Sequence, residues 1–179
     1  MERERQEKFE NLAKKYLYKG LDSKAFIRYF RQGGISAHHP QGHWLTEDWS
    51  WSYDFALEFR KYTQAFCLSL IDKSVLQRGR IKASSWTSMI DLGSGQVKLF
   101  DFRGKDTIRW SEVLKTFTTP NGLRAIKNAY DQVSPPELEW PEFTNSLVVL
   151  KEDFSDLDFE DNLYRALCSR GQDNSSFTI

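Results

Sequence analysis

His38, His39 and His43 are the only histidines of the chain, and Trp44, Trp49 and Trp51 follow within a few residues. Three imidazoles with one position left open to water are the ligand set of a catalytic zinc or iron site. Adjacent side chains diverge on a helix or a strand, so only a tight turn at Pro40 and Gly42 aims His38 and His39 at one ion. No Cys or His pair elsewhere completes such a set. The same residues read more simply as a recognition surface. Indoles give large contact area and are enriched at interface hot spots. The expectation is therefore a partner-binding patch of His38, His39, His43, Trp44, Trp49 and Trp51, with no metal and no cofactor. Trp49 and Trp51 also fit a buried strand face, which leaves Trp44 as the exposed ring.

Two further groupings carry chemistry. Arg80, Lys82, Lys98, Arg103 and Lys105, interleaved with Trp86, Phe100 and Phe102, form a basic and aromatic stripe of the kind that stacks single-stranded nucleic acid. Asp91-Leu92-Gly93-Ser94-Gly95 resembles the first motif of S-adenosylmethionine-dependent methyltransferases. In that family the glycine loop opens a helix, whereas strand-like alternation follows at 96–102 here, and a hairpin turn accounts for the glycines. No Ser-His-Asp or Cys-His set is present, and Cys67 sits in an apolar run that suits a core.

With 179 residues the chain fits one domain of ordinary size. Aromatics are 15% of it, enough for a ring-packed core with rings to spare for a surface. The 25 basic and 25 acidic side chains balance, which excludes a protein coated in positive charge but leaves room for a local basic face. Cys67 and Cys168 are too few and too far apart for a disulfide scaffold. The residues at 1–8 are densely charged and unlike a secretory signal, and no apolar run is long enough to cross a membrane. Cytoplasmic or nuclear residence, not secretion, is expected.

These residues need elements to hold them. Phe9, Leu12 and Tyr16 recur at helical spacing over 2–19, and Asp22 or Ser23 caps a second helix over 23–31. From 49 to 59 large rings occupy every second position, which favours a strand with one buried face. A helical stripe of Phe55, Phe59, Tyr62, Phe66 and Leu70 is the rival reading. Strands are expected at 64–71, 80–90 and 96–102. Helices are expected at 107–117, 120–133 and 158–170, with a short strand at 147–150 and a non-helical stretch around Pro141. The architecture is α+β: one domain over 1–171, an antiparallel meander of about four strands flanked by N-terminal and C-terminal helices, and a flexible tail at 172–179. The function expected is a non-enzymatic module that binds a protein. Single-stranded nucleic-acid binding is the alternative, and a metal-dependent enzyme or methyltransferase comes after it.

Overall fold

A computed structural model describes residues 2–31, 33–36, 43–73, 82–87, 98–102, 107–132 and 139–176. Tyr16–Gly20 (β1) is the middle of the seven strands of the main sheet. Around it run Gly34–Ser36 (β2), His43–Thr46 (β3), Cys67–Asp72 (β4), Lys82–Thr87 (β5), Lys98–Phe102 (β6), Thr107–Arg109 (β7), Val113–Thr118 (β8) and Leu147–Val149 (β9). The sheet order is β5-β6-β3-β1-β4-β8-β9, while β2 and β7 pair separately. Every pairing is antiparallel except β8 with β9, which run parallel. The fold is thus α+β with a mostly antiparallel sheet.

Helices cover both sheet faces. Alternate residues of β1 and β4 divide between two cores, because side chains on a strand point to opposite faces. Leu17, Cys67 and Ile71 join Phe26 and Tyr29 of the helix Ser23–Arg31 (α2), together with Ile126 and Ala129 of Pro120–Gln132 (α4) and Phe143 of Trp140–Thr144 (α5). Tyr18, Leu68 and Leu70 join Phe9 of Glu2–Ala13 (α1), Tyr53 and Ala56 of Trp49–Thr63 (α3), and Phe159 and Leu163 of Asp156–Ser176 (α6). A strand with both faces buried shows little alternation in sequence. That explains why β1 is hidden in the expected helix over 2–19, which ends at Ala13. It also explains why 107–117, expected as a helix, falls in two strands joined by a 3₁₀ turn.

The largest correction falls at 49–59, which is helix α3 and not a strand. Its N-cap decides the matter. The Asp48 carboxylate accepts hydrogen bonds from the backbone N–H of Ser50 and Trp51, satisfying donors that a helix start leaves open. Gln64 closes the other end in the left-handed conformation, its N–H donating to Arg60 O at 2.8 Å. The strands expected at 64–71, 80–90 and 96–102 are β4, β5 and β6. They do not form a four-strand meander, because β6, β3 and β1 stand between β5 and β4. The turn expected at Gly93 lies outside the described residues. Pro141 does not prevent a helix; it occupies the first turn of α5, where its missing N–H costs nothing. The last helix runs through Gly171 to Ser176.

α3 crosses directly over β1 at Gly20. A Cβ there would lie 2.9 Å from the Ser52 carbonyl oxygen and 3.0 Å from Ala56 N, both of the helix backbone. Neither atom yields cheaply. Gly20→Ala is therefore expected to lower stability by about 1–3 kcal/mol, read as a shifted urea midpoint. A change below about 0.5 kcal/mol, the ordinary range for surface sites, would show that α3 does not lie against β1.

Candidate functional site

The structure describes part of the patch that the sequence groups together. His38 and His39 lie outside the described residues. His43 and Trp44 are on β3, their Cα atoms opposite Phe102 and Asp101 of β6. Trp49 belongs to the core: its ring meets Phe9 at 5.5 Å, Phe159 at 5.8 Å and Tyr53 at 6.2 Å. Trp51 points elsewhere and stacks on Phe55, with centroids 5.4 Å apart and planes within 10°. Among the described residues no three His, Cys, Asp or Glu side chains gather as a metal site. Arg80, Arg103 and Lys105 of the basic stripe lie outside the described residues. Lys82 and Lys98 fall on β5 and β6, opposite Asp101 and Thr87.

The stack at Trp51 opens a longer arrangement. Phe55 meets Phe59 edge-on at 4.6 Å, and Tyr62 follows three residues later. Residues three and four apart share a helix face, so Trp51, Phe55, Phe59 and Tyr62 form one ladder along α3. The opposite face carries Tyr53 and Ala56 into the core. Trp51 is 8% exposed, Phe55 43% and Tyr62 79%, so the ladder begins buried and ends in solvent. Phe55 and Tyr62 are two of the four exposed large hydrophobic residues among those described, beside Val149 and Leu157.

Charge flanks the ladder. Lys61 Nζ lies 3.2 Å from Glu58, and the Tyr62 hydroxyl lies 3.5 Å from the same carboxylate. Asp54 is exposed on this side, and its carboxyl is raised by partial burial and then by the negative charges of Asp156 and Asp48. The Tyr53 hydroxyl donates to Asp156, which raises its own pKa further on top of burial. Arg60 turns the other way, donating to the Glu152 backbone carbonyl and covering the Phe154 ring at 4.9 Å. It anchors α3 to the segment between β9 and α6 and takes no part in the outward face.

No protein family, curated protein or solved structure matches the chain. Its chemistry therefore rests on its own residues. The buried Cys67 thiol is pushed up to about 12, chiefly by burial. It is protonated at neutral pH and is a poor nucleophile. The Ser69 and Thr116 hydroxyls pair with each other at 3.0 Å inside the core, out of reach of a substrate. The outward face of α3, by contrast, presents rings and charges to solvent in a fixed array. Such an array can bind. Trp51 is common to this face and to the patch expected from sequence. Phe55, Phe59 and Tyr62 are missed by the strand reading, although their spacing is the rival helical stripe.

Proposed function

We propose that the protein is a non-enzymatic interaction module, an accessory or regulatory protein, whose docking surface for a protein partner is the outward face of α3. The observation that carries this reading is the ring ladder ending in Phe55 and Tyr62, exposed at 43% and 79% on a helix held rigidly by caps at both ends. Aromatic side chains on a fixed helix lose little conformational freedom on binding and bury much area. The two cysteines are free thiols, which supports a reducing compartment, the cytoplasm or nucleus, as its location.

The test places a photo-crosslinking amino acid at Tyr62 in cells, with a control at the exposed Arg124 of α4. Crosslinking of one protein from Tyr62 and not from Arg124 is expected. The affinity measured for that protein should fall at least about tenfold in Phe55→Ala/Tyr62→Ala, at a temperature where the variant is fully folded. Equal crosslinking from both positions, or equal affinity, overturns the proposal.

A further inference from the structure

Resting on that reading, we infer that the partner at this face is a second copy of the same chain, docked as an antiparallel pair of α3 helices about a twofold axis. The outward face is divided lengthwise. Successive helical residues are about 100° apart, so Phe55 and Tyr62 lie along one flank, Asp54 and Lys61 lie along the other, and Glu58 runs between them. A twofold axis midway along two antiparallel helices sets like flank against like flank. Phe55 then meets Tyr62 of the second copy, and the reverse. On the other flank Asp54 meets Lys61 of the second copy. A parallel twofold pairing would instead set the ring flank of one copy against the charged flank of the other, Phe55 facing Asp54 and Tyr62 facing Lys61. Self-complementarity in both ring contact and charge therefore selects the antiparallel arrangement.

The neighbourhood of Asp54 points the same way. Partial burial and then the negative charges of Asp156 and Asp48 raise its carboxyl, and in the separate chain Lys61 is engaged with Glu58 at 3.2 Å. Docking brings a second Lys61 to each Asp54, so that each lysine bridges Glu58 of its own chain and Asp54 of the other and offsets the two Glu58 carboxylates that meet near the axis. The size of the contact sets its strength. The 15 residues of α3 span about 22 Å, and one helix pair of that length falls below the roughly 1,200 Å² that marks the low end of specific interfaces. A weak, micromolar dimer is the expected state.

Sedimentation equilibrium between about 5 and 500 µM reads the association. The full chain should shift from monomer to dimer within that range. Phe55→Ala/Tyr62→Ala should weaken the association at least about tenfold. Lys61→Asp should weaken it similarly, and the swap Asp54→Lys/Lys61→Asp should restore it to within about threefold of the original. All four residues are exposed; the charge variants should keep the parent melting temperature, and the association of Phe55→Ala/Tyr62→Ala is read well below its own transition, which excludes unfolding as the cause. A chain that stays monomeric at 500 µM, or a charge swap that fails to restore dimer, overturns the homodimer. Crosslinking of a different protein from Tyr62 would then leave the broader reading of the face standing, while loss of the Tyr62 crosslink altogether would remove both.

Discussion

Phe159→Ala is expected to destabilise the protein by about 3–5 kcal/mol, the range for emptying a fully buried phenylalanine site. The ring is completely enclosed and stands where four elements converge. It meets Tyr53 at 4.5 Å and Trp49 at 5.8 Å from α3, Phe117 at 5.4 Å from β8, and Phe66 at 5.9 Å from the segment entering β4. Ring pairs of this kind contribute beyond their buried area. So many rigid partners held by sheet and helix cannot collapse into the space left behind, so the cavity cost adds to the lost transfer energy. Trp49→Ala should be destabilising as well, by about 2–4 kcal/mol at its half-buried position. It should leave partner affinity unchanged once the folded fraction is corrected for. That separates Trp49 from Phe55, whose loss should weaken binding in the folded protein. Urea titration with a Phe159→Ala loss under about 1 kcal/mol would show that α6 does not close over α3 and the sheet, and the rigidity argued for the outward face would go with it.

The uneven legibility of the chain has physical causes. α2, α4, β4, β5, β6 and β9 carry one-sided patterns or clear turn residues at their ends, and the sequence places all of them within a few residues. β1 and β8 sit inside the sheet with apolar residues on both faces, so period two is erased and Leu17-Tyr18 or Val113-Leu114 reads equally well as helix. α3 misleads for the opposite reason. It buries one face against the sheet and carries rings on its outer face too, and two ring stripes at helical spacing interleave into a false alternation over 49–59. The arbiter was local and polar: Asp48 ahead of Ser50 and Trp51 is an N-cap, and a strand has no use for one. The candidate site shared this fate. Trp51 stands in the patch expected from sequence by its type alone, whereas Phe55, Phe59 and Tyr62 share one face only once the segment is helical.

Lys19→Met should remove a contribution to stability that grows with pH between 8 and 10.5. Lys19 lies on the central strand with Ser69 as its Cα partner and Thr116 beyond it. Burial pushes its ammonium from 10.5 down to about 8. The guanidinium of Arg28 adds to the shift, and the carboxylate of Asp22 opposes it. Below pH 8 the lysine is protonated in both folded and unfolded chains, and the cost of burying its charge is fully present. Between 8 and 10.5 the unfolded chain holds a proton that the folded chain has released, so stability increases with pH through that window. At about 1.4 kcal/mol per pKa unit the whole rise is on the order of 3 kcal/mol. Other buried groups pull the other way. The Cys67 thiol, raised from 9.0 to about 12, and the Tyr29 hydroxyl, raised from 10.0 to about 12, are both held neutral by burial. The unfolded chain loses those protons first, which erodes stability above pH 9 and pH 10 respectively. These terms persist in Lys19→Met, where an apolar chain of similar length fills the same space. They cancel when the stability curve of the variant is subtracted from that of the parent. The difference, measured by urea unfolding at pH 7, 8, 9 and 10, should climb with pH and begin to level towards 10.5. A flat difference would mean that Lys19 keeps its proton in the folded state and is not enclosed beneath α2.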